Sequence, residues 1–109
     1  MISQGFTAIA PVADIPAGHA ARVEIDGVPI AIFNVNGAFH AVDDTCSHAE
    51  AYLSEGELDP AGCAVECPLH GSTFDLTTGE PLSLPAVEPV RVHQVAIIDG
   101  VLNIAVNHG

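Results

Sequence analysis

The sequence predicts an all-β chain, a small antiparallel sandwich or incomplete barrel with an irregular, loop-rich middle. Three observations carry that expectation. Short β-branched runs recur between Gly, Pro, Asn and Asp turn signals, and no segment sustains a 3.6-residue apolar period. The length, 109 residues, suits a single domain over 1–109 with one small core. Hydrophobic residues make up 49% of the chain while aromatics reach only 5% and tryptophan is absent, so the core must be mostly aliphatic.

Taken in order, Phe6 to Ala10 reads as a first strand and Asp14-Ile-Pro-Ala-Gly18 as a turn. Arg22 to Ile25 alternates with the period of a half-buried strand, and Asp26-Gly27 turns it into Pro29 to Val35. Asn36-Gly37 is the strongest hairpin signal, since both positions tolerate positive φ, and Phe39 to Val42 returns. Asp43 to Gly62 is irregular, with a single helical turn expected near Ala49 to Leu53. Cys63 to Glu66 and Ser72 to Asp75 read as short strands, with a turn at Thr77-Thr78-Gly79. Pro81, Pro85 and Pro89 make an extended loop that cannot be a central strand. Val90 to Ile98 and Val101 to Val106, joined at Asp99-Gly100, form the last hairpin. Function is expected in the irregular middle, because loops on a rigid scaffold usually hold it.

Two arginines and no lysine face fourteen carboxylates, for a net charge of −12. That charge argues against nucleic acid and anionic membrane surfaces as partners, since both are bound through cations. A basic protein surface is the partner it favours. The longest apolar run, around Ile30 to Phe33, is far short of the roughly 20 residues that span a membrane. Met1 to Gly18 has no positive charge and carries Asp14 and two prolines, unlike a signal peptide, so the cytoplasm is expected. Three cysteines, an odd number, argue against a disulfide scaffold.

The middle contains Cys46-Ser-His48 and, eighteen residues on, Cys67-Pro-Leu-His70. Each loop offers one soft thiolate and one borderline imidazole among turn residues that let the backbone fold around a metal. Three readings compete: ordinary surface-loop residues, a structural zinc site, or a two-iron, two-sulfide cluster with two Cys on one iron and two His on the other. Structural zinc usually pairs cysteine with cysteine and histidine with histidine, whereas each loop here mixes them.

The paired motif resembles that of Rieske iron–sulfur proteins. Chain length, strand-rich pattern, the Asn36-Gly37 hairpin ahead of the first loop, and the stretches IFNVNGAFHAVDDTCSHAEAYLSEGEL and VECPLHGSTFDLTTGEPLSLPA are similar to the small Rieske ferredoxins of bacterial aromatic-ring-hydroxylating dioxygenases. The resemblance implies a Rieske-like small antiparallel β-sandwich or incomplete barrel with a cluster-binding loop subdomain at about 43–85. It implies one 2Fe-2S cluster, with Cys46 and Cys67 on the buried iron and His48 and His70 on the outer one, and a third loop over it around Pro85. It further implies a monomeric one-electron carrier, not an enzyme, between a flavin-containing ferredoxin reductase and a terminal oxygenase. No His pair beyond the cluster histidines stands near a carboxylate as an oxygenase's mononuclear iron would require.

Charge explains what this ligand set does. Two ferric ions, two sulfides and two thiolates sum to zero, whereas an all-cysteine cluster is a dianion. An electron enters the neutral centre more easily, which lifts the potential into the range of about −150 to +300 mV. Reduction makes the imidazoles hold protons more tightly, so the potential should fall as pH climbs past their pKa values. High-potential Rieske proteins add a cysteine in each loop, C-x-H-x-x-C and C-x-C-H; here those positions are Ala51 and Leu69, so that disulfide cannot form. They also place a Tyr hydroxyl near a cluster cysteine, where this chain has Phe74, although Ser72 is kept and can donate to a sulfide. One lost hydrogen bond to sulfur lowers the potential, so the lower half of the range is expected.

The remaining candidates read more blandly. Cys63 is expected as a small buried core residue on its strand. His19, His40, His93 and His108 read as turn, strand-face and tail residues, with His40 closest to the first loop. Asp43, Asp44, Glu50, Glu55 and Glu57 bracket that loop, either as a docking rim for basic partners or as a solvated face. Pro68 and Leu69 beside His70 suit the small apolar contact of a brief encounter. A fixed subunit of an assimilatory nitrite reductase and a zinc-stabilised interaction domain are the alternative functions.

Overall fold

The computed structural model describes residues 5–45, 51–69, 71–84 and 88–107. The described strands are β1 (Phe6–Pro11), β2 (Ala20–Ile25), β3 (Val28–Val35), β4 (Ala38–Asp43), β5 (Glu57–Asp59), β6 (Ala64–Glu66), β7 (Thr73–Asp75), β8 (Val92–Ile98) and β9 (Val101–Ala105). Six of them form an antiparallel sheet in the order β1-β9-β8-β4-β3-β2, and the other three form a small sheet in the order β5-β6-β7. The all-β expectation therefore holds, and the small sheet is an insertion between β4 and β8.

Three hairpins of the large sheet turn on Asp26-Gly27, Asn36-Gly37 and Asp99-Gly100, with φ of 54 and 77, 54 and 95, and 52 and 75. Both residues of each turn are left-handed, the geometry that matches the twist of the flanking strands. Register follows from these turns: Ile25 faces Val28, Val35 faces Ala38 and Ile98 faces Val101.

β3 explains the apolar run at Ile30 to Phe33. Its alternate residues serve two cores: Ile30 and Ile32 join Ile15, Ile25, Ala41, Leu102 and Ile104, while Ala31, Phe33 and Val35 join Val42, Leu53, Val65, Cys67, Phe74 and Leu76. A strand covered on both faces has no polar side to display, so its sequence loses the alternation that β2 keeps. Burying Ile30, Ile32 and Phe33 completely contributes roughly 1.5–3 kcal/mol each. The second core is the contact between β3 and the inserted small sheet.

The insertion is clamped where the chain leaves and returns. The Asp43 amide donates to the Arg91 carbonyl at 3.0 Å, and Arg91 Nε donates back to Asp43 Oδ2 at 3.0 Å. His93 accepts the Asn107 amide on Nδ1 at 2.9 Å, which places its ring hydrogen on Nε2, 2.9 Å from Asp43 Oδ1. At the far end, Gly79 has φ +79 and a Cβ there would collide with the Val90 carbonyl. Its own carbonyl accepts the Val90 amide at 2.9 Å, seating the returning segment on the small sheet.

Beyond shifts of one or two residues at strand ends, four local features differ from the sequence expectation. The helical turn is a 3₁₀ turn at Leu53–Glu55, beyond the expected Ala49 to Leu53, of which Ala49 and Glu50 lie outside the described residues. β5 was not expected, because Glu-Leu-Asp has poor strand propensity; pairing with β6 and the packing of Leu58 create it. Cys63 stands outside β6, half-buried at φ 51, and is not a strand residue. β8 starts at Val92, since Val90 bonds instead to the Gly79 loop.

Candidate metal centre

Cys67 directly follows β6 and is 1% exposed, with a free thiol. Its amide donates to the Ser72 carbonyl at 2.6 Å, and the Gly71 amide donates to the Cys67 carbonyl at 3.0 Å. Gly71 at φ +76 lets the chain double back so sharply. The turn thus begins at a buried thiol and closes at Gly71 and Ser72.

Cys46, His48 and His70 lie outside the described residues, but the chain on either side of them is placed. Thr45 and Tyr52 pair as an isolated antiparallel bridge, so the segment bearing Cys46 and His48 starts and ends at neighbouring points. Its return meets the second loop directly. Ala51, Tyr52 and Glu55 share one shallow concavity, about 290 Å³, with Pro68 and Leu69. Ala51 and Leu53 also belong to the buried cluster that contains Cys67. The described flanks of the two Cys/His-bearing segments therefore adjoin.

The surface around these flanks is apolar as well as acidic. Leu69 is 58% exposed and Tyr52 40%, and Leu82 and Leu84 of the proline segment are exposed too. This segment runs beside β7: Pro81 bridges Phe74, and the Leu82 amide donates to the Thr73 carbonyl at 2.6 Å. Pro85, expected over the cluster, lies outside the described residues. Ser72 and Phe74 are completely buried, Phe74 in the core shared with Cys67.

The acidic rim divides. Glu55 and Glu57 are exposed and Glu50 is outside the described residues. Asp43 and Asp44 are no rim at all, because each faces inward toward a cation. Asp43 meets Arg91 and His93, and Asp44, completely buried, lies 2.6 Å from Arg22 Nε. Pairing is the condition for burying a carboxylate, and nothing in the local sequence named the distant arginines.

His40 and Cys63 meet across the two lobes. The Cys63 sulfur lies 3.5 Å from His40 Nε2 and 3.7 Å from Thr77 Oγ1. Burial holds the imidazole below its ordinary value, partly offset by the Asp75 carboxylate. The expected core cysteine is thus a half-buried partner of His40, which sequence distance concealed. His93 is a strand residue on the buried face of β8, His19 is exposed, and His108 lies outside the described residues. Among the described residues no further group of three His, Cys, Asp or Glu side chains is gathered for a metal. Among them, too, no helix is long and apolar enough to cross a membrane.

Comparison with known proteins agrees with this geometry. Residues 5–95 match the Rieske [2Fe-2S] domain family. The chain is 48% identical over 90 residues to the 3-phenylpropionate/cinnamic acid dioxygenase ferredoxin subunit of Escherichia coli strain K12, covering 83% of each. Its fold is similar to the ferredoxin of carbazole 1,9a-dioxygenase from Nocardioides aromaticivorans, with a TM-score of 0.89, 32% identity and coverage of 92% of this chain and 96% of that one. A chain from a complex of reduced oxygenase and oxidized ferredoxin in carbazole 1,9a-dioxygenase matches at a TM-score of 0.86 and 38% identity, over 94% of both. With residues 5–95 matching the family's domain and a buried free thiol at Cys67, the chain belongs to the Rieske [2Fe-2S] family, among its electron-carrying ferredoxins.

Proposed function

We propose that the protein holds one two-iron, two-sulfide cluster, with Cys46 and Cys67 on the inner iron and His48 and His70 on the outer one. In this reading it shuttles single electrons, as a monomer in the cytoplasm, from a flavin-containing ferredoxin reductase to a terminal ring-hydroxylating oxygenase. The observation that carries it is the shared concavity of Ala51, Tyr52, Glu55, Pro68 and Leu69, which joins the two loops that bear the four donors.

The donor chemistry fits the group. Cys67 is a buried thiol free of any disulfide, as an inner ligand has to be, and two imidazoles suit the half of the cluster nearer water. When bound, the cluster supplies a one-electron acceptor that shifts little in shape. The chain's residues do the rest. The Cys67–Ser72 turn holds the thiol inside the core, and Phe74, Leu76 and Val65 exclude water from that side. Exposed Leu69 and Tyr52 offer a small apolar contact around the outer ligands, suited to brief docking with the oxygenase. The absence of second loop cysteines at Ala51 and Leu69 supports a reducing compartment and a potential in the lower half of the Rieske range.

Electron paramagnetic resonance of the reduced protein tests the ligand set. Mixed His/Cys ligation lowers the average g below that of an all-cysteine cluster. Cys67→Ser should abolish the signal and Cys63→Ala should leave it unchanged. A colourless protein with a lone zinc, or a signal lost in Cys63→Ala, overturns the assignment. Gel filtration should return a monomer both before and after reduction.

A further inference from the structure

The chain has only two cationic side chains from Lys and Arg, and both are committed to the tandem Asp43-Asp44. Arg91 and Asp43 close the neck of the insertion. Arg22 and Asp44 are arranged differently, and their arrangement is not explained by folding alone.

Asp44 has a fully buried carboxylate two residues before Cys46. Its amide donates to the Pro29 carbonyl at 3.0 Å, fixing it to the large sheet. Its carbonyl accepts the Leu53 amide at 2.6 Å, and Oδ1 accepts the Ser54 amide at 2.8 Å. These two amides follow Tyr52, the residue that closes the first loop. Asp44 therefore grips both ends of the segment that carries Cys46 and His48.

Its other oxygen is the anomaly. Oδ2 is buried and, among the described residues, accepts no hydrogen bond, while the Arg22 guanidinium stands 2.6 Å away as an ion-pair partner. Among the described residues, that oxygen is compensated by charge alone. The guanidinium is itself held by the Tyr52 ring, whose centroid lies 4.3 Å from its central carbon, and remains 48% exposed. A buried charge with one imperfect partner is a poor stabiliser, and a well-packed apolar residue would serve the fold as well or better. What the pair does supply is a fixed anion and a fixed cation beside the first ligand loop.

We propose that Asp44 and Arg22 are positioning residues that clasp the Cys46/His48 loop and tune the potential of the centre held there. The proposal rests on the ligand reading above. Asp44 holds a negative charge close to Cys46 and so disfavours the added electron, and Arg22 offsets it. The two charges act with opposite sign on the same potential, while the amide grip sets the loop's shape.

Two measurements on the purified protein test this. Hydrogen exchange reads the clasp without reference to any cluster. In Arg22→Gln the Leu53 and Ser54 amides should exchange about tenfold faster or more, with the Leu102 and Ile104 amides unchanged, and Arg22→Lys should recover part of the protection. Unchanged Leu53 and Ser54 exchange overturns the clasp. Redox titration reads the tuning. Asp44→Asn should raise the potential, Arg22→Gln should lower it, and the double variant should return close to the parent. Single variants that leave the potential alone, or move it the same way, make the pair a mere staple and overturn the tuning. Loss of the mixed-ligand signal from the parent protein would instead overturn the ligand reading, and the exchange result would still decide the clasp.

Discussion

The large sheet and the inserted small sheet solve the same problem by different means. In the large sheet, three left-handed hairpin turns set the register locally, and one core is filled largely by isoleucine and leucine. In the small sheet every strand is three residues long, and such ladders are marginal without outside support. Its support comes from afar: Phe33 and Val35 beneath it, the Asp43–Arg91 neck, and the Asp44 clasp. The scaffold is thus held by sequence-local devices, while the small sheet is held by long-range ones.

The comparison breaks most visibly if the metal is removed. Chelation under reducing conditions should speed amide exchange at Leu53, Val65 and Phe74 by about a hundredfold or more while Ile32 and Leu102 keep their protection. Uniform loss across both sheets would show that they are one cooperative unit. Next in size, Ile32→Ala should cost about 2–5 kcal/mol in denaturant unfolding, because its side chain is completely buried in the large-sheet core. The reduced protein should nevertheless keep its resonance signal, since Ile32 points away from the small sheet. A vanished signal in folded protein would tie the two cores together.

The smallest effect probes the seam between lobes. Burial keeps the folded His40 less ready to take a proton than the unfolded chain, whose value lies near 6.5. Protons then bind preferentially to the unfolded state, so this residue's contribution to stability is lost as pH falls below that value. Melting temperatures taken from neutral to mildly acidic pH should therefore drop less steeply in His40→Gln than in the parent. Equal slopes would remove His40 from the seam.

Much of this was legible in the sequence, for identifiable reasons. Asp26-Gly27, Asn36-Gly37 and Asp99-Gly100 announce their turns because positive φ restricts the residue types that can stand there. The two Cys/His pairs stand out because metal ligation needs those donors and few others. β5 was hidden because Glu57 to Asp59 has no strand propensity of its own. Asp44 read as part of a docking rim or a solvated face because its partner, Arg22, lies on β2 and meets it only once the sheet has formed. Cys63 and His40 were invisible as a pair for the same reason.

Composition, turn chemistry and donor spacing alone determined the all-β scaffold and the four candidate ligands, since each depends on residue type over a few neighbouring positions. Only the folded chain decided which carboxylates are buried, that β3 serves two cores, and that Ala51 and Tyr52 share one wall with Pro68 and Leu69. Those outcomes depend on contacts between segments far apart in sequence, where packing and charge compensation choose the partner and no local pattern records the choice.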